Sequence, residues 1–217
     1  MEAPRKIVYF VRHGQSVDNA SPVFQSVDSP LSEKGKRQAE AIAGRLSHIS
    51  FDTLIASPVR RASETAQLIA GETHKDIVHS DLFVERVKPS EIDGKPWADG
   101  RAKDIWRAWE QALCTPGARV SDGENYDDIL ARADEALAFL LGRPESTLVV
   151  VTHGYFLRAV VARVLLGDDS TGAGMKRFQE RASVENSAIT VLKYADAFEE
   201  GAAWRLWTLN DHSHFAE

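Results

Sequence analysis

The chain has 217 residues, of which 43% are hydrophobic and 27% are charged, and its formal net charge is −6. At roughly 150 residues per domain, this length predicts one domain, or one domain with an insertion. The apolar content is too high and the net charge too low for a chain that is mostly disordered. An acidic chain is also a poor candidate for binding nucleic acid or an anionic membrane, because both need a basic surface.

The chain contains a single cysteine, Cys114, so no disulfide can form within it, which suits a reducing compartment. The first residues, MEAPRKIVYF, lack the long apolar core and the small-residue cleavage site of a signal peptide. No stretch approaches the roughly 18 uninterrupted apolar residues of a membrane-spanning helix. We therefore expect a soluble, cytoplasmic protein with no membrane or nucleic-acid partner. The sequence does not predict its oligomeric state.

Strands and helices alternate along most of the chain. Hydrophobic periodicity predicts strands at 6–11, 52–56 and 77–82 and helices at 30–47 and 59–70, with Ser32 as the N-cap of the first helix. Farther on, it predicts helices at 122–141 and 155–166, a buried strand at 147–151, and two late strands at 188–193 and 204–209 that pair at an edge. This alternation favours a three-layer α/β/α sandwich.

Residues 85–120 depart from the alternation, because proline and glycine recur there and only one short helical patch interrupts them. We expect a single domain over 1–217 in which 86–121 is an insertion that covers the active site. Three tryptophans fall in this segment: Trp97, Trp106 and Trp109. Large aromatic side chains usually pack inward, so we expect core packing, with an aromatic substrate platform as the alternative.

Reactive or cationic side chains follow three of the predicted strands. In chain order the strand ends carry Arg12-His13-Gly14, Ser57 to Arg61, and Thr152-His153-Gly154. Parallel strands bring such ends to one edge of the sheet, where ligands of open α/β sheets bind. The fork of an arginine suits phosphate oxygens, and a histidine can act as a nucleophile. The pattern predicts a phosphoryl pocket with an available nucleophile.

These residues resemble the motifs of the histidine phosphatase superfamily, which includes the cofactor-dependent phosphoglycerate mutases. The resemblance covers most of the chain and keeps the family's order. Its elements are Arg12 to Ser16 with Asn19, Pro30 to Gly35 with Gln38-Ala39, Ser57 to Ala66, Leu82 to Glu85, Gly123-Glu124, and Val151 to Gly154. Each motif is weak alone, and together they are strong. Asn125 departs from the serine that often follows the Gly-Glu pair. By this resemblance the fold is an α/β/α sandwich around a mostly parallel sheet.

The resemblance also implies a mechanism. His13 would attack phosphorus and become a phosphohistidine, with its other ring nitrogen donating to a backbone acceptor. Arg12, Arg61 and His153 would hold the phosphoryl oxygens and stabilise the transition state. Glu85 would protonate the leaving oxygen and then deprotonate water, for which its pKa would need to be raised, for instance by burial. No metal or cofactor is implied.

Alternatives remain open for the catalytic acid and for several binding residues. Glu91 lies near Glu85 in sequence and could be the acid instead. Gly154, Asn19, Gln15 and Ser16 are further candidates for phosphate or substrate binding, and the last three could simply shape the loop after the first strand. Arg60, next to Arg61, is interpreted as a solvated helix residue.

The function favoured by the resemblance is hydrolysis of a small phosphate monoester. A phosphoglycerate mutase is the alternative, but mutases of this family carry a G-W-x-D element, which residues 20–29 lack. A catalytically silent domain that binds a phosphorylated ligand is a further alternative. A metal-dependent hydrolase is a remote one.

Overall fold

A mixed six-stranded sheet lies at the centre of residues 6–197 and 201–215, the part of the chain that this computed structural model describes. The strands are β1 (Lys6–Arg12), β2 (Thr53–Ala56), β3 (Ile77–His79), β4 (Thr147–Thr152), β5 (Ile189–Ala197) and β6 (Gly201–Asp211). Their order is β3-β2-β4-β1-β5-β6. The first four are parallel, whereas β5 is antiparallel to β1 and β6 to β5. The predicted, mostly parallel sheet with two late strands at one edge is confirmed.

Helices cover both faces of this sheet. They are α1 (Glu33–Leu46), α2 (Arg60–Thr73), α3 (Gly100–Ala112), α4 (Tyr126–Gly142), α5 (Gly154–Leu166) and α6 (Gly172–Arg181). Successive residues of a strand point to opposite faces. Accordingly, Val149 and Val151 of β4 pack with α1 and α2, while Leu148 and Val150 pack with α4 and α5. The three-layer α/β/α sandwich predicted from the alternation is therefore confirmed.

Two helices begin later than predicted, because polar side chains cap them inside the predicted range. Ser32 is the N-cap of α1, as expected, and its hydroxyl accepts a hydrogen bond from the Gly35 amide at 3.0 Å. The helix predicted from 122 begins only at Tyr126, because Asn125 and Asp128 form a reciprocal capping box. The Asp122 and Glu124 side chains and the Glu124 amide instead bind the backbone of Val87 and Ser90.

Other predicted elements differ in extent. The strand predicted at 77–82 is confined to β3, because a 3-10 helix (Asp81–Phe83) turns the chain away from the sheet. Helix α6 was not predicted, since only Met175 of its apolar residues is fully buried. Its signal in the sequence is the N-cap Thr171, whose hydroxyl accepts from the Gly174 amide at 3.1 Å.

Residues 86–121 contain a 3-10 helix (Ser90–Ile92) and α3, and they pack on the outer side of α4 and α5. Trp109 is buried there, and its indole N–H donates to the Glu124 carbonyl at 2.7 Å. Trp106 is partly buried. Trp97 remains 54% exposed, so the prediction of core packing is wrong for this tryptophan.

None of the helices in the described residues is long and apolar enough to cross a membrane.

Candidate functional site

The carboxyl ends of three neighbouring strands bring the predicted site residues together. Strand β4 lies between β2 and β1, so Ser57, His153 and His13 follow three adjacent strands at the same edge of the sheet. All three side chains are buried, with exposures of 1% or less. The rings of His13 and His153 are 5.0 Å apart between centroids. The parallel sheet thus converts residues that are remote in sequence into one cluster.

His13 is held as a neutral imidazole with one nitrogen available as an acceptor. Its Nδ1 atom lies 2.7 Å from the Gly14 carbonyl, and a carbonyl can only accept, so Nδ1 carries the proton. The Nε2 atom accepts from Arg61 Nε at 3.2 Å. Burial lowers the pKa of His13 well below its ordinary value, and the charges of Arg61 and Arg12 and the neighbouring His153 lower it further. The contact between Nδ1 and the Gly14 carbonyl is the backbone contact expected of a histidine nucleophile.

Two arginines supply the positive charge of the site. Arg61 is 3% exposed, and it also donates through Nη1 to the Ser26 carbonyl at 3.1 Å. Burial lowers its pKa to about 10, so Arg61 remains a cation at neutral pH. Arg12 donates to the Val184 carbonyl at 2.6 Å, while its Nε atom is buried without a partner among the described residues. A buried donor of this kind is costly unless a ligand meets it.

His153 also has a buried ring nitrogen without a hydrogen-bond partner among the described residues. Its Nε2 atom lies 2.8 Å from the Ser57 hydroxyl, whereas its Nδ1 atom is buried without a partner in the described part of the chain. Burial lowers the pKa of His153, and the nearby Arg61 and Arg12 lower it further. Ser57 was not assigned a role from the sequence. Its position at the start of the Ser57 to Ala66 motif was the signal available.

The carboxylate of Glu85 lies at the N-terminus of α5. It accepts hydrogen bonds from the amides of Tyr155 at 3.3 Å, Phe156 at 3.0 Å and Arg86 at 3.1 Å. Burial by itself would raise the pKa of Glu85. The charges of Arg86 and Arg61 and two of these amides outweigh burial, so the pKa lies below its ordinary value. The raised pKa that the implied acid role would need is therefore not found here, because the charges of Arg86 and Arg61 oppose the effect of burial.

The predicted motif in α1 serves to hold the loop that follows β1. The backbones of Gly14 and Gly35 are in contact: a Cβ on Gly14 would lie 2.4 Å from the Gly35 carbonyl oxygen. The amide of Gln15 donates to the Gln38 side chain at 2.9 Å, and the amide of Ser32 donates to the Gln15 carbonyl. Thr65 of α2 accepts from the Gly14 amide at 3.1 Å. The motif residues therefore fix the backbone beside His13.

Three further binding candidates are engaged within this same loop. The Gln15 side chain accepts from the Ser32 hydroxyl at 3.0 Å. The Asn19 side chain accepts from the Ser16 amide at 3.2 Å, and the Ser16 hydroxyl accepts from Gln25. Of the two interpretations kept open for Gln15, Ser16 and Asn19, the ligand-free structure favours loop shaping.

Gly154 contacts the arginine of the first motif. A Cβ on Gly154 would lie 3.1 Å from Arg12 Nε, so the missing side chain makes room for the guanidinium. Gly14 and Gly154 are the glycines that follow His13 and His153. In the structure, the groups that approach them closely are the Gly35 backbone and Arg12.

Arg132 of α4 is a positioning residue that the sequence did not reveal. It forms a two-pronged ion pair with Glu124, with both N–O distances at 2.8 Å. It also donates to the carbonyls of Leu82, Val84 and Glu85 at 3.2, 2.9 and 3.4 Å. These contacts hold the segment that carries the Glu85 carboxylate. The signal available was Glu124 in the Gly123-Glu124 motif, whose partner lies eight residues farther along the chain, in α4.

A cavity of about 570 Å³ opens from Arg61 and Glu85 to the surface. Much of its wall comes from 86–121, including Arg86, Lys88 and Trp106. Glu91 is exposed and is absent from the cavity wall. Of the two candidate acids, Glu85 lines the cavity together with Arg61, and Glu91 does not.

Within residues 6–197 and 201–215, no group of three or more His, Cys, Asp or Glu side chains could hold a metal ion.

Comparisons with known proteins give the same picture over almost the whole chain. A model described as histidine phosphatase superfamily (branch 1) matches residues 8–209. A protein of Enterobacter sp. (strain 638) named "Probable phosphoglycerate mutase GpmB" is 29% identical over 216 residues, which cover 95% of this chain and 94% of that protein.

Two solved structures are also similar. A mycobacterial glucosyl-3-phosphoglycerate phosphatase in complex with VO3 superposes with a TM-score of 0.74 at 25% identity, over 95% of this chain and 99% of that one. The alpha-ribazole phosphatase of Shigella flexneri superposes with a TM-score of 0.75 at 21% identity, over 94% of this chain and 96% of that one.

Proposed function

The chain belongs to the histidine phosphatase superfamily (branch 1), and from this premise we propose that it hydrolyses small phosphate monoesters through a phosphohistidine on His13. One observation carries the proposal. A neutral His13 with an accepting Nε2 lies beside two buried nitrogens, Arg12 Nε and His153 Nδ1, that have no partner among the described residues. A phosphoryl group would fill these open positions, because its oxygens accept hydrogen bonds from cationic and neutral donors alike.

In the first step, Nε2 of His13 attacks phosphorus in line while the ester P–O bond breaks. Arg12, Arg61 and His153 bind the equatorial oxygens, where charge is spread in the transition state. Glu85 donates a proton to the leaving oxygen, so an alcohol departs. In the second step Glu85 takes a proton from water, which attacks the phosphohistidine. The N–P bond breaks, inorganic phosphate leaves and His13 returns to its neutral form.

The lowered pKa of Glu85 specifies where its proton comes from. The free protein carries this carboxyl ionised at neutral pH, so the proton enters with the monoanion of the substrate. A phosphate monoester has a second pKa of about 6. Once bound, the phosphoryl charge raises the pKa of Glu85 through like-charge repulsion, which favours transfer of that proton to the carboxyl.

A phosphoglycerate mutase is the second candidate, favoured by the name of the relative from Enterobacter. A mutase would return the phosphoryl group from His13 to a second hydroxyl, whereas a phosphatase gives it to water. Residues 20–29 lack the G-W-x-D element of mutases, which supports hydrolysis. We further propose that the protein acts in the cytoplasm on small phosphorylated molecules, without nucleic-acid or membrane partners.

A panel of phosphate monoesters tests the proposal, with phosphate release measured for the wild-type protein and His13→Ala. We expect release with the wild type only, together with acid-labile labelling of the wild type by a substrate whose phosphoryl group is labelled. A mutase assay with a bisphosphate primer runs in parallel. Mutase turnover that exceeds hydrolysis would contradict the phosphatase proposal and support the mutase. Tight phosphate binding without any turnover would contradict both enzymes and support a catalytically silent binding domain.

A further inference from the structure

A second cavity of about 580 Å³ adjoins the one that opens from Arg61 and Glu85. The two cavities share Gln25 and Trp106 in their walls. A leaving group that extends away from a phosphate bound at His13 would therefore reach the second cavity by passing these two side chains. Neither the mechanism nor the family comparison assigns a role to this space.

The outer wall of the second cavity is Trp97, and its backbone is firmly held. The Trp97 amide donates to the Pro22 carbonyl at 2.9 Å, and the Phe24 amide donates to the Lys95 carbonyl at 2.8 Å. These bonds join two loops into a short antiparallel clip, with a bridge between Val23 and Pro96. The side chain of Trp97 is nevertheless 54% exposed. A large aromatic ring is thus presented to solvent from a fixed position.

The inner wall is aromatic as well. The rings of Phe24 and Trp106 are 5.0 Å apart between centroids, and those of Trp106 and Trp109 are 5.3 Å apart. Phe24 and Trp109 are buried, so they hold Trp106 from behind. Aromatic side chains in both walls suit a planar ring, because offset stacking and edge-to-face contacts both favour aromatic pairs.

The charges near the shared wall are already paired. Arg86 lies 3.2 Å from Glu110, and Lys88 lies 2.5 Å from Asp93. The guanidinium of Arg86 also lies 4.8 Å from the centroid of the Trp106 ring. Paired cations offer little to a second anionic group on the substrate. The wall of the second cavity carries both signs of charge, with Lys103 and Arg107 beside Asp18 and Glu110, so its distinguishing feature is the aromatic surface.

We propose that Trp97 and Trp106 bind a flat aromatic ring on the leaving group, so that the substrate is a phosphate monoester of an alcohol that carries such a ring. This inference rests on the proposed function, since it assigns the leaving group of the same reaction. It makes Trp97 a specificity-determining residue that does not touch the reacting phosphoryl group.

The test uses pairs of substrates whose leaving alcohols have similar acidity: 3-phenylpropyl against propyl phosphate, and 5-phenylpentyl against pentyl phosphate. For the wild type we expect kcat/KM to be about tenfold higher for the phenyl member of at least one pair, carried mainly by KM. Trp97→Ala should remove this preference, and Trp97→Phe should restore most of it. The matched control is Trp207→Ala, because Trp207 is 67% exposed on β6 and lies outside both cavity walls.

A binding measurement separates the two proposals. Calorimetry with His13→Ala measures the affinity for 3-phenylpropyl and 5-phenylpentyl phosphate without turnover, and adding Trp97→Ala should weaken it about tenfold. If the wild type hydrolyses none of these esters while this loss of affinity is seen, the ring site stands and the phosphatase proposal fails. If hydrolysis occurs but Trp97→Ala leaves both the preference and the affinity unchanged, the ring site is refuted.

Discussion

Arg61 Nε lies 3.2 Å from the Nε2 atom of His13, the ring nitrogen that would attack phosphorus. The cation and the nucleophile are therefore in place before any substrate binds. The same contact shields Nε2 from protonation, because a guanidinium donates hydrogen bonds and repels a second positive charge. A phosphoryl group that enters the site would accept the hydrogen bond from Arg61 in place of Nε2. The Nε2 atom would then be free to attack phosphorus.

Replacing Arg61 by Ala should lower kcat/KM by about 100- to 1000-fold, because a donor to the transition-state oxygens is lost. The neighbouring Arg60 provides a matched control. Its side chain is 56% exposed and pairs with Glu64 at 2.8 Å on the outer side of α2. Arg60→Ala should keep wild-type kinetics. Equal losses in the two variants would argue against a specific role for Arg61.

Replacing Glu85 by Gln should lower kcat for propyl phosphate by roughly 100- to 10,000-fold, the usual contribution of general acid–base catalysis. The loss should be much smaller for p-nitrophenyl phosphate, whose leaving group departs without a proton. Glu91→Gln serves as the control, because Glu91 is exposed and does not line the cavity. A loss of the same size for both substrates would mean that Glu85 acts by positioning alone.

The pH dependence of kcat/KM should show an acidic optimum. Because the pKa of Glu85 is lowered, the free protein does not carry the reacting proton, and kcat/KM should fall as pH rises through the second pKa of the substrate, about 6. Because the pKa of His13 is also lowered, activity should persist as pH falls through the ordinary range of histidine, near 6.5. A profile measured from pH 4 to 8 that rises with a midpoint near 6.5 would contradict this assignment.

Chelation should leave the activity unchanged. The predicted phosphoryl site contains Arg12 and Arg61, which repel a dication, and no cluster of metal-ligating side chains occurs in 6–197 or 201–215. Phosphate release measured after prolonged dialysis against EDTA should therefore equal that of the untreated protein. Complete loss that added metal restores would overturn the metal-free mechanism.

Replacing Arg132 by Met should lower the free energy of unfolding by about 3 kcal/mol, because Glu124 would keep its charge without its partner in a largely buried place. Urea titration measures this change. The exposed pair of Lys36 and Glu33 gives the contrast, and Lys36→Met should change the midpoint little. Since Arg132 also holds the Glu85 segment, kcat of the folded variant should fall as well.

The sequence predicted the parts of this site that depend on where a strand ends. His13 and His153 each follow an apolar strand and precede a glycine, and a parallel sheet then brings them together whatever lies between. Arg61 was assigned from the Ser57 to Ala66 motif of the family resemblance, which follows the end of β2. The layers of the sandwich followed from hydrophobic periodicity, which reports directly which face of an element is buried.

What escaped prediction depends on contacts between distant polar groups. Burial raises the pKa of Glu85, and Arg86, Arg61 and the Phe156 amide together lower it below its ordinary value; of these three only Arg86 is near Glu85 in sequence. The role of Arg132 needs the carbonyls of another segment. The exposure of Trp97 depends on how two loops meet, and its residue type alone favours burial.

The position of β4 between β2 and β1 also has a consequence for biosynthesis. Both flanking strands leave the ribosome early, and they have no common neighbour until most of the chain has been made. Pairings between segments so far apart are slow to form, since the intervening chain must first be closed into a loop. A translation product that stops before Thr147 would lack both β4, the central strand, and His153. The proposed phosphoryl site can therefore form only after the centre of the sheet has assembled.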